Sequence, residues 1–422
     1  MRTSEMRLTL TERAILSGET GTEGARMALE IVVQAARVLG AGQLVPVTAA
    51  HIDGCLYHGT SGTLYCERLC DAGARVSVPS TTNVGALNLL KPAQSRLQGE
   101  ARKMAYRLMV AHEKLGCQPS WTCAPYQTAA RPTAGQQVAW GESNAVAFCN
   151  SVLGARTNRY GDFLDIACAI SGRAPFYGLH VTQQRYADMV IDVSALPDLM
   201  QRHETFAPVL GALVGAEAGS RVCAVTGWRA QPCEDTLKAF CAAAAATGAV
   251  GLVHIVGITP EAPDLQTALG GKPALDRIVV TPSMMATAAA RLTRSTTHQV
   301  DAVALGSPHF SADECLALLA LARGRPFKVP VYVCLGRHVM DSLVAEKLDR
   351  HLEDLGVEFV VDTCVVVTPI LPEASGVLMT NSAKFAHYAT GNTGYLPAFG
   401  SLADCVASAQ AGHLVQNDTV WA

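Results

Sequence analysis

Leu44-Val45-Pro46-Val47-Thr48-Ala49-Ala50 runs into His51-Ile52-Asp53-Gly54-Cys55, and the fold can be read outward from that join. A short apolar run ending in a polar, glycine-bearing loop reads as a buried strand and its C-terminal turn. A helical segment follows from Gly62 to Ala72, with Cys66 and Cys70 on one face. Ala74-Arg75-Val76-Ser77-Val78 reads as the next strand, closed by Pro79-Ser80-Thr81-Thr82-Asn83. Strand, helix, strand predicts a parallel α/β unit, whose ligand-bearing loops lie at the C-terminal ends of the strands.

The alternation returns over residues 205–370, with apolar strands at Val250–Val256, Arg277–Val280, Ala302–Leu305, Val329–Cys334 and Glu358–Val361. Ser311-Ala312-Asp313-Glu314 is a capping box just after one of them. Residues 11–40 read as two helices parted by Gly18-Glu19-Thr20-Gly21, the first capped by Thr11. Residues 98–115 and Val138–Leu153 read as further helices. The expected class is α/β, multi-lobed, with parallel or mixed sheets flanked by helices. The expected lobes are 1–205 and 206–422, parting within Met200–Ala218. The small-residue tail after Gly391 reads as a docking segment.

The 422 residues exceed the size at which a single core stops growing. With 33 basic and 36 acidic residues the net charge is −3, and no basic run suggests nucleic acid. Met1 to Arg13 holds no apolar core of a secretory signal. Phe240 to Ile258 is the most membrane-like stretch, but Gly248 and His254 mark it as a helix end followed by a buried strand. Fourteen cysteines without such a signal point to the cytoplasm and to thiols that pack as small hydrophobes. No C-x-x-C, G-x-G-x-x-G, Walker loop, G-x-S-x-G or H-E-x-x-H occurs, so nucleotide, nucleophile-elbow and zincin chemistry lack support.

Polar residues of reactive type stand at several strand ends. Cys123, in Thr122-Cys123-Ala124-Pro125-Tyr126, and Cys364, in Asp362-Thr363-Cys364, each follow a threonine at the end of an apolar run. Too far apart for a local knuckle, they read either as iron ligands supplied by the fold or as two buried thiols. Gly306-Ser307-Pro308-His309 offers an imidazole beside the capping Ser311. Glu142-Ser143-Asn144 and Arg156-Thr157-Asn158-Arg159 flank one segment; Arg156 could clamp a carboxylate or close a structural ion pair. Asn381-Ser382-Ala383-Lys384 reads as an anion site at a helix start or as an ordinary cap. Gly54 permits close backbone approach, and Cys55 is either a third thiolate or a buried thiol.

Taken in order, these motifs, with Ala50–Gly54, Thr81–Asn83, Gly141–Ala145 and Leu153–Arg159, resemble the catalytic domain of the aconitase X family. The resemblance covers about residues 10–390. It implies an iron–sulfur dehydratase acting on cis-3-hydroxy-L-proline or on mevalonate 5-phosphate. In the mevalonate-phosphate type a Gly-Cys-Pro-His motif supplies a third cysteine; this chain has Ser307 there, which favours the hydroxyproline branch. A non-catalytic scaffold subunit with a decayed site is the competing reading. The resemblance assigns the cluster to Cys123 and Cys364, with Cys55 as candidate third thiolate. It gives the substrate to Gly54, Asn83, Ser143, Asn144, Arg156 and Ser382, with Cys55 beside them. Ser61, Lys384 and His309 are the candidate bases. It also implies a small swivel-domain subunit as partner.

Overall fold

The computed structural model describes residues 6–373, 375–417 and 419–421. The first five residues, part of the charged N-terminal stretch, lie outside them. The chain forms two compact units, one of residues 1–87 and 97–186, the other of residues 88–96 and 187–422. The division falls after Tyr186, where the sequence suggested 205. The residues in between build the first strand of the second unit.

In the first unit, β1 (Leu44–Pro46) pairs antiparallel with β5 (Arg173–Pro175). Three short parallel strands, β2 (Ala50–Ile52), β3 (Ser80–Thr82) and β4 (Ala139–Trp140), stand in the order β3-β2-β4. All their residues are buried, as in a sheet covered on both faces. The helices Glu23–Val38, Thr60–Asp71, Gly99–Lys114 and Leu164–Ser171 close a core around Leu29, Val32, Ile52, Leu69, Leu108 and Ile166. The opening strand–helix–strand order holds, but the run at 44–50 splits into β1 and the parallel β2 at Ala50–Ile52, and the second strand lies at Ser80–Thr82 and not at 74–78. Val138–Leu153 splits into β4 and a shorter helix, Ser143–Ser151. The first helix starts at Leu10, because Thr9 is its cap.

The second unit holds two all-parallel sheets. β6 (Met189–Asp192), β7 (Cys223–Thr226), β8 (Val253–Ile255) and β9 (Asp276–Val279) run in the order β8-β7-β6-β9. The apolar stretch at 240–258 is the end of the Glu234–Thr247 helix followed by β8, as its glycine and histidine imply. No helix among the described residues is long and apolar enough to cross a membrane.

The other sheet comprises β10 (Ala302–Phe310), β11 (Val331–Leu335), β12 (Val357–Val361), β13 (Gly376–Thr380) and β14 (Tyr395–Phe399), in the order β12-β11-β10-β13-β14. The chain winds outward from β10 in one direction and then returns to start again at β13. The strand order therefore reverses between β10 and β13, the place where open parallel sheets bind ligands. The tail after Gly391 supplies β14 and the helix Leu402–Ala411, so it is part of this sheet's core.

Candidate functional site

In the first unit the three parallel strands end side by side. The residues just past them are Asp53 after β2, Asn83 after β3, and Gly141-Glu142 after β4. Asn83 Nδ2 donates to Asp53 Oδ1 at 2.5 Å. Asp165, in the first turn of Leu164–Ser171, accepts the N–H groups of Asp53 and Gly54 at 2.7 and 2.9 Å. A Cβ on Gly141 would stand 2.6 Å from Asp53 Cβ, so only glycine lets the β4 loop come this close. Glu142 sits at φ 63°, an uncommon angle for a residue with a side chain, and caps the Ser143–Ser151 helix through Ala145 N–H.

Three carboxyl groups thus converge in a water-poor site. Burial, then the charges of Glu142 and Asp165, push Asp53 up to about 7. Burial also raises Asp165 to about 6, against the pull of the N–H groups it accepts. His51 is fully buried, bonds Thr81 Oγ1 at 2.8 Å and is held neutral by burial, its pKa lowered to about 3. Asp53, with Asp165 next to it, can therefore exchange a proton near neutral pH.

The sequence candidates fall into place around it. Gly54 and Ser61 line one cavity of about 90 Å³ with Asp162 and His58. Asn144 is spent on the protein: its Nδ2 donates to Cys123 O at 2.7 Å and to Glu142, and its Oδ1 accepts the Tyr126 hydroxyl. It holds the cysteine loop to the carboxylate loop. Ser143 donates to Glu142. Arg156 reaches Thr182 Oγ1 at 2.7 Å and the His180 carbonyl, a structural use of its guanidinium. The Cys55 thiol donates to the carbonyls of Ile52 and Asn83, both at 3.2 Å, and burial pushes it well above the usual thiol range. Without a metal beside it, the thiol is protonated and hydrogen-bonded to two carbonyls.

The second unit carries the other cysteine. Asp362, at φ 66°, follows β12 and is gripped by Arg337, whose Nε and Nη2 donate at 2.5 and 2.8 Å. His309 Nε2–H donates to Thr363 O at 3.1 Å, and burial keeps the ring neutral, near 3. Its Nε2–H ties it to the Thr363 loop, and a ring held near 3 accepts a proton weakly at Nδ1. Lys238 in turn donates to the His309 carbonyl and pairs with Asp235 at 2.7 Å. Gly306, at φ 90°, brings β10 onto β11: a Cβ there would run into the Cys334 carbonyl oxygen.

Cys364 behaves unlike most thiols of this chain. Burial pushes up Cys66, Cys117, Cys149 and Cys168, among others. Cys364 moves down: a hydrogen bond from Cys334 contributes most, and the Val366 N–H, the Lys384 ammonium and the Ser307 hydroxyl add to it. Ser382 caps the Ala383–Thr393 helix through Phe385 N–H at 3.0 Å and donates to the Ser307 carbonyl. Cys364, Ser307, Ser382 and Lys384 therefore gather around the β10/β13 reversal. No group of three or more histidine, cysteine or acidic side chains gathers as a metal site among the described residues.

Sequence reasoning misses four participants. Asp53 lies inside a recognisable motif, but its neighbouring glycine and cysteine are the more conspicuous residues there. Asp165 is a lone acid in an otherwise apolar helix, which is a readable signal. Cys334 lies in the apolar run Val331–Leu335 and carries none. Lys238 shows only as a charge on an alanine-rich helix.

Compared with known proteins, the chain matches family profiles for the aconitase X first domain over residues 5–183, second domain over 187–290 and third domain over 300–411. It is 40% identical to a cis-3-hydroxy-L-proline dehydratase of Pseudomonas aeruginosa, covering 98% of this chain and 72% of that one. Identity to a cis-3-hydroxy-L-proline dehydratase of Hypocrea jecorina is 39%, over 95% of this chain and 68% of that one. A phosphomevalonate dehydratase large subunit of Thermococcus kodakarensis is 34% identical, over 91% of this chain and 95% of that one. The crystal structure of Thermococcus kodakaraensis aconitase X in its holo-form superposes with a TM-score of 0.85 at 31% identity, covering 96% and 100% of the two chains.

Proposed function

This chain belongs to the aconitase X family, and from that premise we propose that it is a dehydratase converting cis-3-hydroxy-L-proline to Δ1-pyrroline-2-carboxylate. The observation that carries the substrate is the order of identities: 40% and 39% to the two hydroxyproline enzymes against 34% to the phosphomevalonate large subunit. The scaffold reading is disfavoured by the site itself, since ionisable groups with tuned pKa values remain in both units.

The reaction removes a proton from C2, alpha to the carboxylate, and hydroxide from C3; the resulting enamine tautomerises to the imine. We assign proton acceptance to Asp53, in preference to Ser61, Lys384 or His309. A carboxylate poised near 7 is a competent base at neutral pH, while an imidazole held near 3 by burial is a much weaker one. Asn83 orients Asp53 through its amide. Lys384, in the first turn of its helix, and Ser382 at the cap are the proposed carboxylate clamp.

The family also implies an iron–sulfur cluster, and within the second unit the chemistry around Cys364 suits a ligand to one. Cys364 is held toward thiolate beside a hydroxyl and an ammonium, as a metal-ligating sulfur requires. Cys123 is also a proposed thiolate. Such a cluster would supply a Lewis-acidic iron for the departing hydroxide. None of the fourteen cysteines is in a disulfide, which suits a reducing compartment, and the cytoplasm is the proposed location. A separate small swivel-domain subunit is the proposed partner, because the Thermococcus relative is named a large subunit.

The test is an ultraviolet–visible spectrum of anaerobically purified protein, followed by assay with cis-3-hydroxy-L-proline and mevalonate 5-phosphate. Broad sulfur-to-iron absorption with pyrroline-2-carboxylate formation is expected. Turnover of only the phosphorylated substrate would move the chain to the other branch. A colourless protein that iron and sulfide cannot reconstitute would remove the cluster.

A further inference from the structure

A cavity of about 650 Å³ opens in the second unit, and none of Cys364, Ser307, Ser382 and Lys384 lines it. It lies among the helices Phe206–Ala218, Pro282–Ala290 and Ala383–Thr393. Its volume is that of a small-molecule site. Arg291, Arg294 and His387 all line it. Among the described residues none of the three forms an ion pair or a side-chain hydrogen bond. Glu217, the carboxylate on the lining, pairs with neither arginine. Leu213, Met284 and Leu292 supply an apolar wall, and the two leucines are buried.

Cationic groups that line one cavity and form no ion pair repel one another, and the cost is visible at His387. Burial, and then the Arg294 charge, hold its imidazole below the ordinary range. An anion set among the three would relieve that repulsion and let the ring take up a proton. Neither guanidinium is tied down, so both are available to fork onto a carboxylate. The apolar wall would go unused by a bare inorganic anion.

We propose that this cavity binds an organic monoanion with an apolar body, its carboxylate held by Arg291, Arg294 and His387 and its chain laid against Leu213, Met284 and Leu292. The site is distinct from the reacting centre and takes a ligand of a different class from a cyclic imino acid.

Isothermal titration calorimetry on the full chain tests this with butanoate, hexanoate and octanoate, and with inorganic phosphate for comparison. Each methylene that enters the wall should tighten binding about twofold to fourfold. The double variant Arg291→Gln, Arg294→Gln should weaken octanoate about tenfold or more. Neither side chain takes part in an ion pair, so the melting temperature should hold. Affinity should rise as pH falls from about 8 to about 6, because binding draws a proton onto His387, and His387→Phe should abolish that slope. Glu217, Arg291 and Arg294 are the charges facing it, and the Tyr388 ring packs edge-on beside it. No saturable octanoate binding, phosphate binding as tight as octanoate, or unchanged affinity in the double variant would each overturn the proposal.

Discussion

Replacing Asp53 by Asn separates the cost of a buried carboxylate from its use. The side chain keeps its shape, and an amide oxygen can still accept from Asn83 Nδ2. Only the charge goes. In the folded chain the Asp53 pKa rises from 3.8 to about 7, so the native state holds a proton that the unfolded chain has lost. A raised pKa of this kind contributes stability that is full below pH 3.8 and is lost as pH climbs through about 7. A tenfold change in proton affinity is worth about 1.4 kcal/mol, so the whole rise amounts to about 4 kcal/mol. Asp53 keeps some contact with water, and screening reduces this to about 2–4 kcal/mol. Relative to the parent, Asp53→Asn should gain little at about pH 4 and about 2–4 kcal/mol at about pH 8. Urea unfolding at the two pH values measures the difference. Hydrogen exchange of the Asp53 and Gly54 amides, which Asp165 holds, localises it. The same variant should lose dehydratase activity, while the parent's kcat/KM should rise with pH toward a plateau above about 7. Equal stability of parent and variant at the higher pH would refute the raised carboxyl. A stabilised variant with full activity would leave the electrostatics standing and remove Asp53 from the chemistry.

Three further outcomes follow from the geometry. Cys55→Ala should cost about 1–2 kcal/mol and leave the iron–sulfur absorption of the purified protein intact, because the thiol is a hydrogen-bond donor; loss of colour would restore it as a ligand. Gly306→Ala drives a methyl group into the Cys334 carbonyl oxygen at φ 90°, and should destabilise the second unit by about 4 kcal/mol or more in thermal melts. Arg337→Met strands the wholly buried Asp362 carboxylate and should cost about 3 kcal/mol in urea unfolding, with iron content falling as the Cys364 loop loosens.

Much of the fold is legible because parallel strands buried on both faces write themselves as apolar runs. The runs that predict β8, β10, β11 and β12 lie within a few residues of those strands, and the capping box at Ser311 and Glu314 forms as its spacing predicts. Some strands of two or three residues escape, since they are too short to show a period: β4 hides in an apparent helix, and β3 begins two residues beyond the apolar run that suggests it. The β10/β13 reversal is not in any window of sequence; it follows from the pairing of Ala302 with Leu378, 76 residues on.

The site divides in the same way. Motif residues stand out because polar groups at the end of an apolar run are conspicuous, but their roles depend on partners that only folding supplies. Cys55 and Cys364 look alike in sequence, each a thiol just past a strand. One meets backbone carbonyls, which can only accept, so it stays a thiol. The other meets N–H, hydroxyl, thiol and ammonium donors, so it is drawn toward thiolate. Asn144 and Arg156 read as substrate ligands because amide and guanidinium groups recognise carboxylates, yet the same valences serve to fasten loops. A polar residue in a motif declares that something must be bonded there. Whether the partner is substrate or protein is decided by how many of its donors and acceptors the fold has already filled: Asn144 has both ends of its amide engaged, whereas Asn83 Oδ1 is buried with no partner among the described residues. By that criterion Asn83, lying against Asp53, is the amide left for a ligand to complete.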